Sequence, residues 1–156
     1  MLKFVNYDVV FQEIPDEVTL AINISNCPNH CQGCHSSYLM QDVGVVMTED
    51  ELTSILSTYR HDITCLAFMG GDNDPNSVMY FADWVHRTYN REIKTAWYSG
   101  KTDFPEGFNP SFFDYVKVGP YIQGFGPLKS KTTNQRLYKV LPDGLLEDIT
   151  FRFWKD

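Results

Sequence analysis

The residues best suited to chemistry in this chain are three cysteines in one short stretch, Cys27-Pro28-Asn29-His30-Cys31-Gln32-Gly33-Cys34-His35. Three residues separate the first pair and two the second. Thiolates this close together can converge on one metal centre. Four ligands close a structural zinc site, whereas three leave a coordination position open. An iron–sulfur cluster held by only three thiolates therefore keeps one iron for a small molecule. Gly33 permits the tight backbone turn such a loop needs, and reads equally well as an ordinary loop glycine. His35 also has a plain reading, as a residue that caps the loop, beside that of a fourth ligand in a Cys3His zinc site.

A second candidate is Gly70-Gly71-Asp72, which follows the apolar run 63–69. Such a run suits a strand buried on both faces. Ligands collect at the carboxyl ends of parallel strands in α/β folds. Paired glycines let the backbone approach a ligand, and the Asp72 carboxylate suits an ammonium group. The same three residues also read as a strand-to-helix turn with Asp as a cap. Cys65, inside the run, reads as a small core residue rather than a ligand.

The elements that must position these groups follow from periodicity. Residues 18–25 alternate apolar and polar side chains and run straight into the cysteines, as a strand would. Residues 9–14 read as a shorter strand. A helix is predicted over Glu49–Tyr59, with Thr48 and Glu51 as a capping box and Leu52, Ile55, Leu56 and Tyr59 as its apolar face. His61 lies just past its end, where a cation suits the helix dipole. Asp74 and Pro75 open a second helix whose buried stripe is Val78, Phe81, Ala82, Val85 and Tyr89. Asp83 and Arg87 are spaced to pair on it, and His86 is expected on its solvent side. Further strands are predicted at 93–98, 115–118, 137–140 and 149–154, the last from its alternation. Residues 101–114 read as loop with one helical turn near Phe112, and 121–135 as a long loop. Sequential crossovers of this kind build a mainly parallel sheet. Its carboxyl-end rim would carry the cysteine loop, Gly70 to Asp72, Ser99 and the loop after Val118.

Composition narrows the classes. The chain has 156 residues, enough for one domain spanning 1–156. Hydrophobic residues make up 43% and charged residues 21%, as in a globular protein. The net charge of -7 disfavours general nucleic-acid binding. A local basic patch is conceivable around Lys129, Lys131 and Arg136. No apolar run reaches about 18 residues, so no membrane span is expected. Three of the 4 cysteines are too close for a disulfide framework, and the start of the chain lacks a signal-peptide core. The expectation is a soluble protein of a reducing compartment, the cytoplasm.

Taken together, Cys-x3-Cys-x2-Cys after one core strand and Gly-Gly-Asp after the next resemble the radical S-adenosylmethionine superfamily. Within it, Cys31-Gln32-Gly33-Cys34-His35, Ala96-Trp97-Tyr98-Ser99-Gly100, Val118-Gly119-Pro120-Tyr121 and Thr133-Asn134-Gln135-Arg136 resemble the activating proteins of anaerobic ribonucleoside-triphosphate reductase. The likeness covers roughly residues 18–140. It departs where Asn73-Asp74 intervene before Pro75 and where Val118 replaces an Asp common in the family.

The resemblance implies a fold, a partial (β/α) barrel of mainly parallel strands. It implies a [4Fe-4S] cluster on Cys27, Cys31 and Cys34, and S-adenosyl-L-methionine held by Gly33, Cys34, His35, Gly70, Gly71, Asp72 and Ser99. It implies reductive cleavage of S-adenosylmethionine and abstraction of hydrogen from a glycine of the reductase. The partners would be the glycyl-radical subunit of that reductase, docking on the loop 121–136, and a low-potential electron donor such as a flavodoxin. Two alternatives stand beside this: another radical S-adenosylmethionine enzyme with a different substrate, and the zinc-binding module.

Overall fold

A computed structural model describes residues 1–25 and 41–154 of the chain. The predicted cluster ligands Cys27, Cys31 and Cys34, with Gly33 and His35, lie outside the described residues. Numbered in chain order, the strands are β1 (Lys3–Val10), β2 (Thr19–Ile24), β3 (Val45–Val46), β4 (Cys65–Met69), β5 (Lys94–Tyr98), β6 (Tyr115–Val118), β7 (Arg136–Val140) and β8 (Leu146–Asp148). The α-helices among these residues are α1 (Glu49–Tyr59) and α2 (Pro75–Thr88).

The strands form one eight-stranded sheet in the order β3-β1-β2-β4-β5-β6-β7-β8. Its middle is parallel: β2 pairs with β4, β4 with β5 and β5 with β6. Its flanks are antiparallel, with β1 between β2 and β3 on one side and β7 between β6 and β8 on the other. This corrects the expected partial (β/α) barrel of mainly parallel strands. A barrel grows by repeated helical crossovers, and here they run out. The connection from β5 to β6 contains only a 3-10 turn, Pro110–Phe112. After β6 the chain doubles back as β7 beside the strand it has just left. The sheet is mixed and open, with β3 and β8 at its edges.

Alternation along the central strands makes two cores. Leu20, Ile22, Leu66, Phe68, Trp97 and Val116 point to the face covered by α1 and α2. Cys65, Ala67, Ala96, Tyr98 and Tyr115 point to the other, closed by Ile14, Leu128 and Ile149 from irregular segments. The Tyr98 hydroxyl donates to the Glu13 carbonyl and so fastens one of these segments. Beneath it Glu17, almost fully buried, accepts from Lys94 Nζ (2.8 Å), Tyr115 Oη (2.7 Å) and Thr64 Oγ1 (2.7 Å), as a buried carboxylate requires.

Both helices start where their caps stand. Thr48 Oγ1 accepts from Glu51 N (3.1 Å), and Asp74 accepts from Ser77 N (3.3 Å) and Ser77 Oγ (2.6 Å). Asp83 and Arg87 pair on α2 at 2.9 Å as their spacing foretold.

Three local expectations are corrected. The first strand is not 9–14 but Lys3–Val10, so the opening residues are sheet. His86 is 3% exposed, not on the solvent side. Residues 149–154 are not a strand: Thr150 takes Asp148 Oδ1 with its own N–H (3.0 Å) and hydroxyl (2.6 Å), a side-chain turn that starts the 3-10 helix Thr150–Phe153 instead.

Candidate functional site

Parallel strands in register end on one rim. Asn23 is level with Met69, and Met69 with Tyr98. Hence β2 ends on the same rim where β4 delivers Gly70 to Asp72 and β5 delivers Ser99. The two ends are in close contact, since a Cβ added at Gly70 would stand 3.1 Å from the Ile24 carbonyl oxygen.

The Gly-Gly-Asp turn needs its glycines. Gly70 has φ +112° and Gly71 φ +93°, backbone angles that favour glycine. A Cβ on Gly71 would also lie 2.5 Å from Val78 Cγ2 on α2. The turn is tied to the end of β5. Gly70 N donates to the Tyr98 carbonyl (3.0 Å), and Trp97 Nε1 donates to the Gly70 carbonyl (2.7 Å). Ser99 Oγ donates to Asp72 Oδ1 (2.6 Å), and Gly100 N to Asp72 Oδ2 (2.7 Å). Asp72 is 9% exposed and Ser99 3%. The structure thus brings Gly70, Gly71, Asp72 and Ser99 together, with Ser99 bonded to Asp72. A cavity of ≈ 320 Å³ opens here, with Asp72, Pro75, Trp97, Ser99, Lys101 and Asp103 in its wall.

The next part of the rim is built by two motifs that meet in space. Lys117 Nζ and Gln135 Nε2 both donate to the Gly119 carbonyl, at 2.9 and 3.4 Å. Asn134 Nδ2 donates to the Pro120 carbonyl (3.0 Å). Gly119, at φ +107°, lets the Asn134-Gln135 backbone come close, with a Cβ there only 3.1 Å from Gln135 Cα. Sequence reasoning singled out both motifs but did not foresee Lys117, whose ammonium also reaches the Ser99 carbonyl (3.2 Å). A lysine in a strand of otherwise apolar residues was the available signal.

Of the three basic residues near the long loop, Arg136 begins β7 and faces Asp148 at 3.6 Å, Lys129 donates to Gln12 Oε1 (3.2 Å), and Lys131 is exposed. His61 is exposed just beyond α1.

Cys65 decides the donor count. It opens β4, fully buried, four residues and so about 13 Å along the strand from the Met69 end. Burial pushes its thiol well up, away from the thiolate a metal needs. It cannot serve the rim. The other thiols of the chain are Cys27, Cys31 and Cys34, and thiolates are the usual donors to an iron–sulfur cluster. Among the described residues no group of three or more His, Cys, Asp or Glu gathers for a metal.

A family model described as a 4Fe-4S single cluster domain matches residues 18–116. The chain belongs to the 4Fe-4S single cluster domain family. The stretch shared with that family starts beside β2 and ends within β6, so it holds all three loop cysteines, the Gly70–Asp72 turn and the β5 segment that braces it. Membership of the 4Fe-4S single cluster domain family supports a 4Fe-4S cluster in this chain. No curated protein and no solved structure matches the chain. Among the described residues no helix is long and apolar enough to cross a membrane.

Proposed function

We propose that the protein is a glycyl-radical activating enzyme of the radical S-adenosylmethionine type, acting on anaerobic ribonucleoside-triphosphate reductase. The observation that carries this reading is the adjacency of two parallel strand ends: β2 runs into the three-cysteine segment, and its neighbour β4 runs into Gly70-Gly71-Asp72. Cys27, Cys31 and Cys34 would hold the [4Fe-4S] cluster. When bound, that cluster supplies the electron that cleaves S-adenosylmethionine to methionine and a 5'-deoxyadenosyl radical, which takes hydrogen from a glycine of the partner.

The chain's own residues bind and orient. The Gly70 and Gly71 carbonyls and the Asp72 carboxylate would receive the methionine ammonium group, and Gly33, Cys34 and His35 are assigned to the rest of the molecule by the resemblance alone. The loop 121–135 leaves and rejoins the sheet at the same rim, because Val118 and Arg136 are paired across β6 and β7. It exposes Ile122 and Phe125 and is the docking surface for the reductase. The electron donor is a low-potential protein such as a flavodoxin.

The test is to purify the protein without oxygen, reconstitute the cluster, and add reductant and S-adenosylmethionine. Formation of 5'-deoxyadenosine supports the enzyme. A glycyl-radical signal after mixing with the reductase separates this reading from a radical S-adenosylmethionine enzyme with another substrate.

A further inference from the structure

Four consecutive residues, Trp97 to Gly100, each make one hydrogen bond to the Gly70–Asp72 turn. The indole N–H of Trp97 takes the Gly70 carbonyl, the Tyr98 carbonyl takes the Gly70 N–H, the Ser99 hydroxyl takes one Asp72 oxygen and the Gly100 N–H the other. Two of these bonds come from side chains that nothing about strand pairing demands. The indole is nearly fully buried, on the α2 face, and Ser99 is buried too. The turn itself has two glycines in succession at positive φ. Left to itself, such a turn would lose its geometry among the many conformations open to glycine.

We propose that Trp97 and Ser99 are positioning residues that hold the Gly70 carbonyl and the Asp72 carboxylate in the arrangement that receives an ammonium group. The inference rests on the reading of this turn as the S-adenosylmethionine ammonium site. It changes the part of Ser99, which acts through Asp72 rather than by touching the ligand. A carbonyl oxygen has two acceptor directions, and the indole fixes the peptide by occupying one of them. A carboxylate oxygen that accepts a short hydroxyl bond cannot rotate freely, and the bonds from Ser99 and Gly100 are both charge-assisted. Preorganisation of this kind removes an ordering cost from ligand binding, so its loss appears in affinity more than in the rate at saturation.

The experiment compares the cluster-reconstituted protein with its Trp97→Phe, Ser99→Ala, Ser99→Thr and Asp72→Asn variants. The dissociation constant for S-adenosylmethionine is measured by equilibrium dialysis, beside the thermal midpoint and the iron content. Trp97→Phe keeps the ring and loses only the N–H. Trp97→Phe and Ser99→Ala are each expected to weaken binding about tenfold, with iron content retained and with near-normal 5'-deoxyadenosine formation at saturating ligand. Ser99→Thr, which restores the hydroxyl, is expected to recover most of the affinity. If Asp72→Asn weakens binding while Trp97→Phe and Ser99→Ala bind as the unaltered protein does, the positioning role is overturned and the ammonium site stands. If the unaltered protein does not bind S-adenosylmethionine at all, the site reading fails and takes the inference with it. Should Trp97→Phe fail to fold, Ser99→Ala with its threonine rescue decides the matter alone.

Discussion

The Nε2 of His86 lies 2.8 Å from Asp114 Oδ2, joining the last turns of α2 to the start of β6. A carboxylate only accepts, so Nε2 carries the proton. The same nitrogen is 3.1 Å from Thr95 Oγ1, whose own hydrogen goes to the Phe112 carbonyl (2.7 Å). Thr95 N completes the group by donating to Asp114 Oδ2 (2.8 Å). Three elements therefore meet at one half-buried acceptor, at the end of the sheet opposite the candidate site.

Stability is expected to fall in acid because of this group. Burial raises the Asp114 carboxyl, but the bonds from His86 and Thr95 outweigh it and hold the carboxyl below its usual range. A carboxyl depressed on folding adds stability that is complete above its unfolded value, about 4, and is lost as pH falls through the lower folded value. Urea denaturation at a series of pH values should show this loss, and Asp114→Asn should remove this group's share of it. His86→Ala should cost about 2 kcal/mol at neutral pH.

The cysteines should divide into two kinds. Replacing Cys27, Cys31 or Cys34 by alanine is expected to abolish stoichiometric iron and sulfide in the reconstituted protein. Cys65→Ala should keep both and cost on the order of 1 kcal/mol in stability. Iron loss on replacing Cys65, with the loop cysteines dispensable, would refute the assignment of ligands.

Gly71→Ala should be far more damaging than Gly124→Ala. The new methyl at 71 meets Val78 Cγ2 and sits at positive φ, whereas a Cβ at 124 has nothing within 4 Å. The expected loss is about 3 kcal/mol for the first and under about 0.5 kcal/mol for the second, read from thermal or denaturant midpoints.

Docking to the reductase should depend on the exposed apolar residues of the long loop. Ile122→Ser with Phe125→Ser is expected to reduce capture of the reductase at least tenfold, while formation of 5'-deoxyadenosine without the partner is unchanged. Equal capture by the double variant would move the docking surface elsewhere. Arg136 is a poor choice for this test, because charge reversal there would also place a negative charge opposite Asp148.

Much of the middle of the sheet was legible from the chain alone. Leu52, Ile55 and Leu56 mark the buried side of α1, and an unbroken apolar run gave β4, because burial on one face or on two leaves different periods. Of the flanks, β7 was legible over 137–140, whereas β1, β3 and β8 were not. Lys3 to Val10 buries only Phe4 fully, and its place comes from backbone pairing with β2, which side-chain pattern does not record. The alternation over 149–154 imitates a strand, but the Asp148–Thr150 side-chain turn prevails over it. His86 had a readable clue: it stands four residues after Ala82, beside the buried stripe, and a partner such as Asp114 makes burial there tolerable. At the rim, Gly-Gly-Asp was visible as a motif, whereas the partnership of Trp97 with Gly70 spans 27 residues and depends on strand order.

That partnership makes strand alignment itself a functional quantity. Slide β5 by a single residue against β4, and the indole and hydroxyl swap faces while each of the four donors and acceptors meets the wrong mate. The loop between β4 and β5 can therefore tolerate changes of length only where they leave the alignment of these two strands untouched, and sequences that shift it should be lost even when nothing at the rim has been replaced.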